Sequence, residues 1–145
     1  MKNKTILLVE DTRQDEMLIL RSLRKINLAN EVEVVRDGQQ ALDYLFQEGE
    51  FAGRVKPDLP AVVLLDVNLP RVSGLEVLER LRADPRTRLL PIVILTSSDE
   101  ERDRLRSYEG GANSFVRKPL DFSAFAETVA RLGVYWLATN EPPQG

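Results

Sequence analysis

The sequence predicts an α/β protein built around a doubly wound parallel sheet. Three runs of apolar residues show no polar alternation, at Ile6–Val9, Ala61–Leu65 and Ile92–Leu95. Such runs are typical of strands that are buried on both faces of a sheet. Segments with the apolar spacing of amphipathic helices lie between them. Because strands and helices alternate along the chain, right-handed βαβ units are expected.

Further segments complete five βα repeats. Glu31–Val35 and Ser114–Val116 are predicted as shorter strands, and five helices are predicted from stripes of apolar residues. The stripes are Met17, Leu20 and Leu23; Ala41, Leu42, Leu45 and Phe46; Leu75, Leu78 and Leu81; Leu105 and Tyr108; and Phe122, Phe125, Val129, Leu132 and Trp136. A single domain is therefore predicted over residues 1–140, with a short flexible tail at 141–145.

The connection Gly49–Pro60 is unusual for this architecture. It lacks periodicity and, at roughly a dozen residues, it exceeds the handful that usually joins a helix to a strand. A tolerated surface insertion and a loop that contacts a partner both fit this segment.

Composition excludes several classes of function. The formal charge is −3, so nucleic-acid binding through a concentrated basic face is not expected. The chain has no cysteine and no histidine, which excludes disulfides, thiolate zinc sites and Ser-His hydrolase chemistry. The early apolar run Ile6–Val9 is too short for a signal peptide or a membrane span. A cytoplasmic location without membrane contact is therefore predicted.

Polar residues collect at the carboxyl ends of the predicted strands, where open α/β sheets bind their ligands. Glu10 and Asp11 follow the first strand, Asp66 and Thr96 follow the two central runs, and Lys118 follows the last strand. Each of them alone is explained as well by a helix cap, a turn or a solvated surface charge. Capping does not, however, predict that acids, a hydroxyl and a lysine from distant segments share one edge.

The three carboxylates restrict the chemistry of this edge. Acids a few ångströms apart repel one another, so either protonation or a hard cation must compensate. Mg²⁺ fits best, since it takes carboxylate ligands and completes its octahedron with water and phosphate oxygens. Lys118 would then add a point charge to a bound phosphoryl group, and Thr96 a hydroxyl donor. These are the parts of a phosphoryl-transfer site with a carboxylate nucleophile.

In these segments the chain resembles the response-regulator receiver domains of two-component signalling. The matching segments occur in the family's order and cover most of the chain: Ile6–Asp11, Val63–Pro70 with Gly74 following, Ile92–Ser98, Gly111–Asn113 and Phe115–Pro119. The resemblance implies a flavodoxin-like (βα)5 fold with the strand order 2-1-3-4-5.

The resemblance also implies a role for each residue of the acidic edge. Asp66 would be the phosphoacceptor, and Glu10, Asp11 and the backbone carbonyl of Asn68 would hold Mg²⁺ with it. Glu10 stands where an aspartate is frequent in the family, so its longer arm could reach the metal through water. The resemblance implies a histidine kinase as the phosphoryl donor. A chain without histidine cannot carry a phosphohistidine, so any such donor must be another protein.

Three further residues take roles from the same resemblance. Lys118 would contact the phosphoryl group. Thr96 would turn toward a phosphoryl oxygen while Phe115 swings inward to fill the space, a packing switch driven by a local change of charge. Phe115 stands where a tyrosine is frequent, so its buried state has no hydroxyl to satisfy. An ordinary aromatic core residue is the alternative interpretation of Phe115.

The long connection and the ending Tyr135-Trp136-Leu137 are similar to single-domain receivers paired with bacterial phytochrome-type histidine kinases. A phytochrome-type kinase is therefore the expected partner, and output through protein contact or phosphate relay is expected. Phe122, Tyr135 and Trp136 exceed what one small sheet face needs. A homodimer or partner patch in the C-terminal helix region is the corresponding hypothesis.

Two other functions stay open at this stage. The first is a Mg²⁺-dependent phosphohydrolase with an aspartyl-phosphate intermediate. Such enzymes commonly carry a second aspartate two residues after the nucleophile, where this chain has Asn68, and they enclose the substrate with a second domain. The second is an interaction module that kept the fold and lost the chemistry. Such a loss would usually remove an acid or the lysine, yet Asp11, Asp66 and Lys118 are all present.

Overall fold

The computed structural model describes residues 5–25, 31–53, 59–96 and 114–117. Within these ranges five parallel strands form one sheet in the order β2-β1-β3-β4-β5, so the predicted fold class and strand order are confirmed. The strands are β1 Ile6–Val9, β2 Val32–Val35, β3 Val62–Asp66, β4 Ile92–Thr96 and β5 Ser114–Arg117. The predicted fourth and fifth helices and the tail lie outside the described residues.

Three helices are described between the strands: α1 (Arg13–Lys25), α2 (Gly38–Phe46) and α3 (Gly74–Ala83). Side chains cap two of their N-termini. Asp37 accepts a hydrogen bond from the backbone N–H of Gln40, and Ser73 does the same for Glu76. Caps of this kind are worth about 1 kcal/mol each. None of the described helices is long and apolar enough to cross a membrane.

Strand β3 differs from the predicted run by one residue at each end. Ala61 precedes the strand, whereas Asp66 is its last residue and stands opposite Leu95 of β4. The Val67 N–H then donates to the Leu95 carbonyl over 3.0 Å, which continues the ladder. The backbone of Asp66 is therefore held by the sheet itself and not by a loop.

The sheet separates two hydrophobic clusters, and the strand residues alternate between them. Leu7, Val9, Val63 and Leu65 belong to the cluster with α2 and α3, and Ile6, Leu8, Val62 and Leu64 belong to the cluster with α1. All eight side chains are buried. Because both faces are covered, the strands read as continuous apolar runs, as the sequence indicated.

The predicted stripe of α1 is wrong at one position. Met17 is 53% exposed, whereas Ile19 is fully buried and packs against the sheet with Leu23. Four consecutive apolar residues, 17–20, allow more than one stripe. Ile19 and Leu23 lie one turn apart on the face that meets the sheet, and this placement selects them.

The long connection after α2 begins with a helical turn and not with a structureless loop. Gly49–Phe51 form one 3-10 turn, and the Phe51 ring meets the buried Tyr44 ring edge to face, with centroids 5.2 Å apart. Aromatic pairs in this geometry stabilise a fold by more than the burial of their surface alone would give. Residues 54–58 lie outside the described part, so a partner-contacting role stays a prediction.

Candidate metal centre at the carboxyl edge of the sheet

Three acids meet where β1 and β3 end. Carboxylate oxygens of Glu10, Asp11 and Asp66 all lie within 4.8 Å of one another. Glu10 is fully buried and Asp66 is 4% exposed, while Asp11 faces solvent. The structure thus brings together the three acids that the sequence placed at one edge.

The donor set fits a hard divalent cation. Three carboxylates supply oxygen ligands only, and the chain has no histidine or cysteine to supply nitrogen or sulfur. Mg²⁺, Mn²⁺ and Ca²⁺ favour such oxygen ligands over softer donors. Two of the acids are buried, so water screens their repulsion poorly. A bound cation would compensate charge that the fold otherwise concentrates at this point.

Strand geometry sets which way the two buried acids face. Glu10 continues β1, because its N–H donates to the Val35 carbonyl of β2 over 3.0 Å. By the alternation of side chains along a strand, Glu10 falls on the same face as Leu8, and Asp66 on the same face as Leu64. That face carries the cluster with α1. Both acids therefore approach the edge from the α1 side of the sheet.

Backbone groups hold the acidic side chains in place. The Asn68 N–H donates to Asp66 Oδ1 over 3.1 Å, and the Thr12 N–H donates to Glu10 Oε2 over 3.2 Å. A Cβ at Gly74 would lie 2.2 Å from the Asp66 carbonyl oxygen. Only glycine therefore lets the first turn of α3 lie directly against the backbone of the nucleophile candidate.

One ion pair at the same edge was not anticipated from the sequence. Arg36 follows β2 and donates two hydrogen bonds to Glu16 in the first turn of α1. The hydrogen bond and charge of Glu16 hold the pKa of the Arg36 guanidinium above its ordinary value. The pair ties α1 to the end of β2 beside the acids. The sequence signal was Glu16, an acid in the first turn of α1, but this signal does not identify Arg36 as its partner.

The structure leaves the predicted roles of four site residues untested. Thr96 is the last residue of β4 and pairs in the ladder with Arg117, while Phe115 of β5 pairs with Ile94. The side chains of Thr96 and Phe115 are outside the described part, and so is Lys118. The Asn68 side chain is exposed. Metal ligation by the Asn68 carbonyl stays a prediction, and so does the switch of Thr96 and Phe115.

Comparison with known proteins decides the family. A family model of the response regulator receiver domain matches residues 6–130. This chain belongs to that family. It is therefore a receiver-domain response regulator, a signalling protein of a kind that binds a divalent metal.

Two relatives span nearly the whole receiver. The probable methanogenesis regulatory protein FilR2 of Methanothrix harundinacea is 42% identical over 139 residues, 95% of this chain and 86% of the relative. Response regulator Rcp1 of Synechocystis is 35% identical over 140 residues, 97% of this chain and 93% of the relative. The solved Mn²⁺-bound form of Rcp1 matches the receiver with a TM-score of 0.84, at 34% identity over 97% of this chain and 99% of that one.

Two further solved structures are similar over nearly the full length of this chain. The bacteriophytochrome response regulator RtBRR is 51% identical, with a TM-score of 0.81 over 99% of this chain and 86% of that one. The phosphorylated cyanobacterial phytochrome response regulator RcpA is 37% identical, with a TM-score of 0.86 over 98% of this chain and 99% of that one. The receiver is thus close to response regulators of phytochrome systems.

Proposed function

We propose that this receiver is a cytoplasmic phosphoacceptor of a two-component phosphorelay, in which Asp66 takes a phosphoryl group from a histidine kinase. The observation that carries the proposal is the buried Asp66 carboxylate at the end of β3, within 4.8 Å of carboxylate oxygens from Glu10 and Asp11. These three acids and the Asn68 carbonyl are the proposed ligands of Mg²⁺. Mg²⁺ is favoured because it is commonly held by few carboxylates together with phosphate oxygens.

The transfer is a displacement at phosphorus. A carboxylate oxygen of Asp66 attacks, the bond between phosphorus and the donor's imidazole nitrogen breaks, and the electron pair stays on that nitrogen. The chain has no histidine, so the imidazole belongs to the kinase. The hydrogen bond from Asn68 N–H to Asp66 Oδ1 fixes the carboxylate for attack. A Mg²⁺ ion held by the three acids would supply positive charge to the phosphoryl oxygens, and Lys118 is proposed to add a second positive charge.

The proposed output is a change of packing around the phosphoryl group. Thr96 would donate its hydroxyl to a phosphoryl oxygen and Phe115 would fill the vacated space, which alters the surface that partners meet. A homodimer through Phe122, Tyr135 and Trp136 in the C-terminal region is proposed as one form of that output.

A phytochrome-type histidine kinase is the proposed partner. RtBRR is a bacteriophytochrome response regulator and RcpA is a cyanobacterial phytochrome response regulator, and both match this receiver over almost all of its length. FilR2, which is 42% identical to this chain, is instead a probable methanogenesis regulatory protein. A purified phytochrome kinase and an unrelated histidine kinase should therefore be compared as donors. Faster transfer from the phytochrome kinase is expected, and equal rates would contradict this partner.

Intact-protein mass spectrometry after incubation with acetyl phosphate tests the acceptor. One phosphoryl adduct is expected in wild type with Mg²⁺, and none is expected with EDTA or in Asp66→Asn. Asp43→Asn is the matched control, because Asp43 lies outside the three-acid group. Hydroxylamine should remove the adduct, since it cleaves acyl phosphates but not phosphoserine. Failure of wild type with both acetyl phosphate and a phosphorylated kinase would favour an interaction module without phosphoryl chemistry.

The same samples separate a signalling receiver from a phosphohydrolase. A receiver forms one adduct per chain, whereas a hydrolase releases phosphate from a substrate such as p-nitrophenyl phosphate over many turnovers. Multiple turnovers that disappear in Asp66→Asn would favour the phosphohydrolase.

A further inference from the structure

A seam joins the start of α2 to the loop between β3 and α3. We call it the α2 seam, with Asp37 and Gly38 on one side and Pro70, Arg71 and Val72 on the other. The Gly38 N–H donates to the Pro70 carbonyl over 3.4 Å, and Arg71 Nη1 lies 3.8 Å from Asp37 Oδ2. Since the Arg71 side chain is 64% exposed, that ion pair contributes little. The seam therefore depends mainly on backbone packing.

Gly38 decides how closely the two sides of the α2 seam approach. A Cβ at this position would lie 1.8 Å from the Val72 carbonyl oxygen and 2.8 Å from the Val72 Cβ. A carbonyl oxygen cannot move aside by a rotamer change, so alanine here must displace residue 72 or the start of the helix. Alanine is otherwise the better helix former. A loss of stability or of metal affinity in Gly38→Ala therefore results from this contact and not from helix propensity.

Arg71 shows that the loop is held in a conformation that its sequence disfavours. Its φ is +68°, in the left-handed region that residues with a Cβ rarely adopt. Such a conformation persists only where the surroundings over-determine it. The contacts of Gly38 with Pro70 and Val72 lie directly on either side of Arg71, where they oppose its relaxation.

The same loop carries the hydrogen-bond partner of the phosphoacceptor. Asn68 donates its N–H to Asp66 Oδ1, and its carbonyl is a proposed metal ligand. The Leu69 N–H donates to the Val67 carbonyl over 3.1 Å, so the chain turns tightly here. A displacement of Val72 therefore reaches Asn68 through a short, constrained piece of backbone.

We infer that Gly38 is a positioning residue for the metal and phosphoryl site, acting through Val72 on the loop that carries Asn68. The inference rests on the proposed function, because it concerns the same site. It makes the Mg²⁺ affinity of the Asp66 site depend on α2, a helix that supplies none of the proposed ligands. Release of the positive φ at Arg71 would favour displacement of the loop when the seam loosens.

Mg²⁺ titration followed by backbone amide NMR signals tests the inference with two matched pairs of variants. Gly38→Ala is paired with Thr87→Val. Thr87 is buried between α3 and β4, near the amino ends of the strands and away from the three acids. Arg71→Val is paired with Arg71→Gly. Both remove the guanidinium, but only the β-branched valine opposes a positive φ.

We expect the dissociation constant for Mg²⁺ to rise about tenfold in Gly38→Ala and Arg71→Val. This is at the lower end of the losses caused by substituting residues that support metal ligands. Thr87→Val and Arg71→Gly should stay close to wild type. In metal-free protein, hydrogen exchange of the hydrogen-bonded amides of Asn68 and Leu69 should quicken in Gly38→Ala and Arg71→Val alone. This measurement does not depend on bound metal.

The outcomes separate this inference from the proposed function. Absence of Mg²⁺ binding and of a phosphoryl adduct in wild type would overturn both. Normal binding in wild type with unchanged affinity in Gly38→Ala, or an equal loss in Thr87→Val, would overturn the inference alone. If Gly38→Ala does not fold, the Arg71 pair decides. A loss of Mg²⁺ affinity in Arg71→Val but not in Arg71→Gly supports the inference, and equal Mg²⁺ affinities of the two variants overturn it.

Discussion

Replacing Asp66 by asparagine should stabilise the metal-free receiver, although it removes the proposed phosphoacceptor. Two unit charges 4.8 Å apart, the upper limit of the separations in the three-acid group, repel by about 3.5 kcal/mol at an effective dielectric constant of 20 and by about 0.9 kcal/mol in bulk water. Asp66 takes part in two such pairs. The asparagine oxygen can still accept the Asn68 N–H. We therefore expect the free energy of unfolding to rise by about 1–3 kcal/mol.

Thermal denaturation in EDTA and in Mg²⁺ measures this effect. In EDTA, Asp66→Asn should melt about 3–10 °C above wild type for a domain of this size. Mg²⁺ at ten times its dissociation constant should add about 1.4 kcal/mol to wild type, and clearly less to Asp66→Asn. Asp43→Asn is the control, since its oxygen can still accept from Gln39 Nε2. A lower melting temperature of Asp66→Asn in EDTA, or a Mg²⁺ response equal to that of the control, would refute the argument from charge repulsion.

Two further predictions concern stability away from the metal site. Thr87 is buried, and its hydroxyl donates to the Leu81 carbonyl over 2.6 Å in the last turn of α3, so Thr87→Val should cost about 1–3 kcal/mol in urea unfolding, because a buried acceptor loses its donor. Thr87→Ser should cost less, and equal losses would show that packing and not the hydroxyl matters. Gln47 ends α2 with a φ of +55°, so Gln47→Gly should stabilise by up to about 1 kcal/mol by removing the strain on a Cβ. Gln47→Ala should give no such gain in melting temperature, and an equal gain would contradict the conformational explanation.

Prediction from sequence succeeded where the signal is local. The run Ile6–Val9 is predicted and observed with the same bounds, because a strand buried on both faces has no polar residue inside it. The acids followed from the same logic, since the carboxyl ends of parallel strands share one edge. The clustering of Glu10, Asp11 and Asp66 therefore needed only the positions of the strand ends.

Prediction failed where the answer depends on how separate elements meet. Met17 and Ile19 are both apolar, and the orientation of α1 against the sheet decides which of them is buried. The close approach of Gly38 to Val72 depends in the same way on the relative placement of a helix and a loop. Neither can be derived from the periodicity of one segment.

The alternation of strand side chains between two clusters restricts how this receiver can change length. Deleting one residue within β1 or β3 would reverse the facing of the side chains on one side of the deletion. Either Glu10 or Asp66 would then turn toward the α2 and α3 side, or the apolar side chains that precede it would exchange clusters. A change of two residues would restore both. An insertion of any number of residues in the connection Gly49–Pro60 leaves the facing of the strand side chains unchanged. Loops of this protein can therefore change length by single residues, whereas β1 and β3 can change length only in steps of two.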